Sequence, residues 1–190
     1  RIAEPGLVVQ LGHKLVQLAA PGVPDVYQGT EVPFPTLVDP DNRRPVDFAA
    51  RADLLDRLDA GHTPGLDDPA AAKLAVVAGV LRARRDRPEL FTGHRPLDVS
   101  GPAAEHAIAF DRGGALAVAT RWPVRLAAAG GWGETVVTVP AGRWEDAVTG
   151  HPVHPDARGA VRLDELLSTL PVALLVPAHA PSDRRERTAP

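Results

Sequence analysis

The chain has 190 residues, 44% of them hydrophobic and 24% charged, with 24 acidic side chains against 21 basic ones and no cysteine. That composition suits one ordinary domain or two small ones around a real core, and it excludes wholesale disorder, disulfides, thiolate zinc sites and cysteine nucleophiles. A formal net charge of -3 gives no broad electrostatic pull towards nucleic acid or an anionic membrane, and no apolar run reaches the length of a bilayer span, so neither partner is expected.

No methionine occurs, and position 1 is Arg1, so the sequence is expected to be a piece of a larger protein. Its start lacks the basic stretch and uninterrupted apolar core of a secretory signal.

Residues 4–20 place Leu7, Val8, Leu11, Leu15 and Leu18 on one helical face, with Pro5 in the first turn and Pro21-Gly22 as a stop. Val23 to Tyr27 is short and β-prone and reads as a brief strand. Gly29 to Pro45 has no period, many prolines and many charges, and reads as a long loop of the kind that often carries function. Helical spacing returns from Phe48 to Leu58 and, most clearly, from Ala70 to Arg87, where Leu74, Val77, Val80 and Leu81 form a stripe. Arg82, Arg84, Arg85 and Arg87 crowd the last turns of that helix and read as a solvated end.

After Gly93 the texture changes to short β-prone runs at His106–Phe110, Ala115–Thr120, Thr135–Val139 and Val172–Val176, with two more over 143–149 and 161–163. Gly113-Gly114 and Gly130-Gly131-Trp132-Gly133 read as hairpin turns. The expected organisation is a mainly helical first part over residues 1–92, a small antiparallel sheet or sandwich over 93–180, and a frayed polar tail over 181–190.

Chemistry-bearing motifs are few. Ser100, Ser168 and Ser182 lie outside any G-x-S-x-G elbow, and neither a P-loop nor a G-x-G-x-x-G fingerprint occurs. His151 and His154 have no neighbouring ligands at fixed spacing and read as an exposed loop, so no metal and no cofactor are expected. The informative segment is PGVPDVYQGTE (residues 21–31) followed by LVDPDNRRPVDF (residues 37–48). It crowds carboxylates, amides and two guanidinium groups into one stretch, and such groups suit polyhydroxyl ligands, whose hydroxyls both donate and accept. Arg43 and Arg44 equally suit a second role, pairing with Asp39, Asp41 and Asp47 to order the loop. Chemistry alone leaves the two readings level, and it assigns neither Asp39 nor Asp41 as catalytic, because glycosyl transfer needs two carboxyls on opposite sides of the scissile bond.

These two blocks, with LRARRDRPELF over residues 81–91, closely resemble the maltooligosyl trehalose synthases, a branch of the alpha-amylase family of glycoside hydrolases. The resemblance covers nearly the whole chain except the tail. It implies an α/β plus all-β fold: the C-terminal end of a (β/α)8 barrel, with 23–27 as its last strand and 70–87 as its closing helix, followed by a small antiparallel β-sandwich domain. It implies conversion of maltooligosaccharides to maltooligosyl trehalose by intramolecular transglycosylation, in the cytoplasm. The catalytic carboxylates would come from earlier barrel strands, so this chain is expected to be inactive alone and to partner the N-terminal portion of the barrel. The residues expected at the maltooligosaccharide substrate are Tyr27, Gln28, Asp41, Asn42, Arg43 and Arg44.

Two other functions stand beside it. One is an ordinary hydrolase of the same broad family. The other is a stand-alone carbohydrate-binding module, with Trp122, Trp132 and Trp144 as a stacking platform on one sheet face.

Overall fold

In the computed structural model, residues 2–35 and 45–178 are described. Three helices stand where the apolar spacing predicts them: α1 (Ala3–Ala19), α2 (Phe48–Asp59) and α3 (Pro69–Asp86). Asp47 and Asp68 cap α2 and α3 by accepting the amides of Ala50 and Ala71, and Pro69 suits the first position of α3. No helix among the described residues is long and apolar enough to cross a membrane.

The strand expected over 23–27 does not form. That stretch is irregular and pairs with no strand among the described residues. Pro24 offers no amide to a ladder, Val23 is 98% exposed, and the Asp25 carbonyl is taken by the Gln17 side-chain amide at 2.9 Å.

The rest of the chain builds two antiparallel sheets. The larger has six strands in the order β1 (Arg95–Pro96), β3 (Ala107–Asp111), β4 (Leu116–Thr120), β9 (Val172–Pro177), β6 (Trp144–Asp146) and β7 (Pro152–Val153). The smaller has three, in the order β2 (Val99–Ser100), β5 (Val136–Thr138) and β8 (Ala160–Arg162). Every long β-prone run became a strand, whereas β1, β2 and β7 have two residues each, too few for alternation to show. Two short helices, α4 (Pro123–Ala128) and α5 (Leu163–Leu166), were also unforeseen. Gly113-Gly114 does turn the β3–β4 hairpin, but Gly130 to Gly133 joins α4 to β5 and so is not a hairpin turn.

The central strands β4 and β9 are buried on both faces, and alternation sorts their side chains into two cores. Ala117, Ala119, Val172, Leu174 and Val176 pack with Leu11, Leu15 and Leu18 of α1 and Val76, Val77 and Val80 of α3. Leu116, Val118, Ala173 and Leu175 face the other way, against Val137, Val161, Leu163 and Leu167 of the small sheet and α5. The helices lie very close to the sheet. A Cβ on Gly79 of α3 would stand 2.5 Å from the Ala147 carbonyl, so only glycine fits there.

Arginines tie these layers together, and this corrects the expectation of a solvated helix end. Arg82 makes a paired ion bond to Asp59 of α2 at 2.5 and 2.9 Å. Arg84 donates to the carbonyls of Leu18 (3.0 Å), Ala20 (3.3 Å) and Gly22 (2.7 Å), and Arg87 to that of Pro177 in β9 (2.6 Å). Of the four, only Arg85 behaves as expected, exposed and paired with its neighbour Asp86. The orphan carbonyls at the C-terminus of α1 attract cations, and α1 has no basic residue in its own last turn. Arg84 and the buried Arg112 supply that charge from elsewhere in the chain.

Candidate functional site

The residues expected to meet substrate divide into two groups. Tyr27 and Gln28 are described and both are exposed, Tyr27 at 47%. Asp41, Asn42, Arg43 and Arg44, with Asp39, lie outside the described residues. What the structure brings together is the base from which that segment springs.

The Tyr27 carbonyl is the first fixed point. It accepts the Thr30 amide at 3.0 Å and the Thr30 hydroxyl at 2.6 Å, closing a tight turn. Gly29 within that turn has φ +86°, and an added Cβ would stand 3.0 Å from the Val46 side chain, so the backbone conformation and the close contact both call for glycine. Gly29 and Val46 therefore touch across the start and the end of the segment between them. Arg51 of α2 joins the same two ends: it donates to the Gly29 carbonyl at 3.0 Å and the Asp47 carbonyl at 2.9 Å. Its Nε faces the Glu31 carboxylate at 3.5 Å, an ion pair too long and poorly aligned to count as a hydrogen bond.

Lys73 is the second anchor. Its ammonium donates to the Val32 carbonyl at 3.1 Å from a side chain buried in α3. Burial first and the nearby Lys14 charge second lower its pKa to about 8, with Glu31 opposing both. Neither Arg51 nor Lys73 was singled out in the sequence. A signal for Lys73 existed: it is one of two lysines in the chain and falls on the stripe shared by Val76, Val77 and Val80.

The low Lys73 value carries a pH prediction. The unfolded chain holds that proton up to about pH 10.4, whereas the folded chain releases it near 8. Between those limits the unfolded state binds more protons, so the contribution of Lys73 to stability rises with pH. Lys73→Met should flatten that rise in denaturant titrations between about pH 8 and 10. Equal slopes for wild type and variant would contradict it.

Among the described residues no group of three or more His, Asp or Glu side chains is placed to hold a metal ion, and His151 and His154 are exposed beside β7. The tryptophans make no common platform. Trp144 is buried in β6 and donates to the Pro140 carbonyl, and Trp132 packs partly buried against the second core. Trp122 is exposed but precedes α4, with the Arg121 guanidinium 3.5 Å and that of Arg125 5.2 Å from its ring centre. The Arg121 guanidinium thus stacks on the ring where a sugar would otherwise lie.

Tyr27 and Gln28 thus present an exposed phenol and an exposed amide on a hydrogen-bonded turn. An exposed phenol and amide of this kind can hydrogen-bond to a polyhydroxyl molecule.

Comparison with known proteins bears out the resemblance drawn from the 21–31 and 37–48 blocks. No family model matches the chain. A protein named maltooligosyl trehalose synthase from Mycobacterium tuberculosis is 46% identical over 173 residues, which is 90% of this chain and 20% of that protein. The maltooligosyltrehalose synthase of Arthrobacter ramosus superposes with a TM-score of 0.85 and 58% identity, over 91% of this chain and 22% of that one. A glycosyltrehalose synthase, DSM5389, superposes with a TM-score of 0.68 and 26% identity over 92% of this chain and 21% of that one. The chain thus spans about a fifth of the length of the relatives it matches.

Proposed function

We propose that this chain, similar along nearly all its length to maltooligosyl trehalose synthases, is the C-terminal part of such an enzyme. In this reading residues 1–92 complete the catalytic (β/α)8 barrel, 93–180 form its C-terminal β-sandwich domain, and 181–190 are a tail. The two sheets sharing one core support the second assignment. The whole enzyme breaks the last α-1,4 bond of a maltooligosaccharide and forms a covalent glycosyl intermediate on a carboxylate. The freed glucose stays bound and turns, and its anomeric hydroxyl attacks the intermediate to close an α,α-1,1 bond. Nucleophile and acid/base carboxyls belong to earlier barrel strands, so this chain alone is inactive. The natural partners are the maltooligosaccharide and the rest of the barrel, in the cytoplasm.

The observation that carries this reading is the likeness to trehalose-forming enzymes through the helices and both sheets alike. The complete enzyme, given a maltooligosaccharide, should consume reducing ends while releasing little glucose. A steady gain of reducing ends would mark it instead as a hydrolase.

Within that enzyme, Tyr27, Gln28, Asp41, Asn42, Arg43 and Arg44 order the reducing-end glucose and shield the intermediate from water, which otherwise captures it. Arg44→Ala in the complete enzyme should therefore shift product from the trehalose linkage towards free glucose, by about tenfold in their ratio. An unaltered ratio would sink that assignment.

A further inference from the structure

We propose that Thr30 is a positioning residue for the trehalose-forming reaction: its hydroxyl sets the backbone turn from which Tyr27 and Gln28 project. The inference rests on the reading in which those two side chains meet the sugar. It goes beyond that reading, because Thr30 bonds to the turn and is not itself assigned to substrate.

The backbone here is held before, within and after the turn. Within it, the Tyr27 carbonyl accepts the Thr30 amide at 3.0 Å and the Thr30 hydroxyl at 2.6 Å. One residue thus closes the turn twice, once through backbone and once through a group that a hydroxyl side chain supplies. Before it, Gln17 of α1 donates to the Asp25 carbonyl at 2.9 Å, and its own amide oxygen accepts the Lys14 ammonium at 2.7 Å, which orients the amide. After it, Arg51 of α2 donates to the carbonyl of the buried Gly29 at 3.0 Å.

The side chains carried by this backbone are treated in the opposite way. Tyr27 and Gln28 are exposed, and among the described residues neither side chain has a hydrogen-bond partner. A held backbone that presents two free polar groups has already met the cost of ordering them for a ligand. Thr30 is the brace that a substitution removes most cleanly. Valine has a similar branched shape and keeps the amide bond, and it lacks the hydroxyl. Without that hydroxyl the Tyr27 carbonyl keeps one donor of two, and the directions of both side chains spread. Transfer to a held sugar depends steeply on such placement.

The test uses the complete enzyme with a maltooligosaccharide and measures kcat/KM for formation of the trehalose linkage, with melting temperatures to check folding. The variants are Thr30→Val, Thr30→Ser, the pair Tyr27→Ala with Gln28→Ala, and that pair combined with Thr30→Val. Thr30→Val should lower kcat/KM about tenfold in an enzyme that is still folded. Thr30→Ser keeps the hydroxyl and should recover most of that loss. Added to the pair, Thr30→Val should cost almost nothing more, because the groups through which Thr30 acts are gone; a merely structural role would cost its full factor in both backgrounds. Thr30→Ala replaces valine in every comparison should the valine variant not fold. Wild-type kcat/KM without the hydroxyl, or the same loss in both backgrounds, would overturn the proposal alone. Wild-type kcat/KM in the Tyr27→Ala, Gln28→Ala pair would overturn the assignment of those residues to substrate, and this inference with it.

Discussion

Arg112→Ala is expected to lower stability by about 3–5 kcal/mol, among the largest effects a single change in this chain should produce. Arg112 is 4% exposed and donates to three backbone carbonyls: Ala19 at the end of α1, Phe91 at 2.7 Å and Gly93 at 2.5 Å. Alanine would leave the buried Ala19 carbonyl and the half-buried carbonyls of Phe91 and Gly93 without this donor, and a cavity where the side chain lay. Each orphaned acceptor costs about 1–3 kcal/mol. Against this stands the cost of burying a guanidinium: desolvation lowers the Arg112 pKa, and the neighbouring Arg84 charge lowers it further. The group stays charged throughout the working pH range all the same, and the helix C-terminus favours that charge. Arg112→Lys should recover little, since one ammonium cannot meet three carbonyls converging from α1 and the 91–93 connection. Denaturant unfolding of both variants checks this, and a loss below about 1 kcal/mol for alanine would refute the account.

Arg112 also shows where reading a sequence stops. In the sequence it is one arginine beside a Gly-Gly turn, and nothing in its neighbours marks it as the joint between α1, the 91–93 connection and the β3–β4 hairpin. The same is true of Arg84, whose place in a run of arginines suggested water and whose real partners lie more than sixty residues away in sequence. Periodicity reports which face of an element is apolar. It does not report which distant carbonyls are left without donors once the elements pack, and those carbonyls decide what a buried arginine does.

The elements themselves were readable for physical reasons. Long amphipathic runs gave α1 and α3 within a residue or two, and β4 and β9 were strong because continuous apolar runs suit strands buried on both faces. Val23–Tyr27 failed because β-propensity describes a fit to neighbours. Its Val23 has no packing partner among the described residues, and its Asp25 carbonyl is drawn to Gln17. In the candidate site, Tyr27 and Gln28 were recognisable from the motif, and Gly29 stood inside it without a stated reason. The structure supplies that reason in the contact with Val46, and it reveals Arg51 and Lys73 as the anchors.

Asp146 carries the second large expectation, and here charge and geometry pull apart. It ends β6, is 3% exposed, and spends one carboxyl oxygen on the amides of Leu174 (2.9 Å) and Val148 (3.1 Å) and the other on the Thr149 hydroxyl (2.6 Å). It thereby fastens the 147–150 turn to the centre of β9. Burial raises its pKa above the ordinary 3.8, and those hydrogen bonds only partly counter the rise. Asp146→Ala should cost about 2–4 kcal/mol, because the buried Leu174 amide loses its acceptor and the turn loses its tie. Asp146→Asn should stay within about 1 kcal/mol of wild type, since its carbonyl oxygen can serve both amides without a buried charge. The sign of the pH dependence separates the two terms. With the folded pKa above the unfolded one, the folded chain binds more protons between those values, so the contribution of Asp146 grows as pH falls from the raised value towards 3.8 and is lost as pH rises through the raised value. Asn does not titrate, so wild type should gain on the Asn variant under mild acid and fall back towards or below it at higher pH. Denaturation of wild type and both variants across that range checks this. A stability gap between wild type and Asp146→Asn that does not change with pH would show the carboxyl to be an ordinary charged acceptor, and equal losses for Ala and Asn would show that the turn does not depend on the Asp146 oxygen at all.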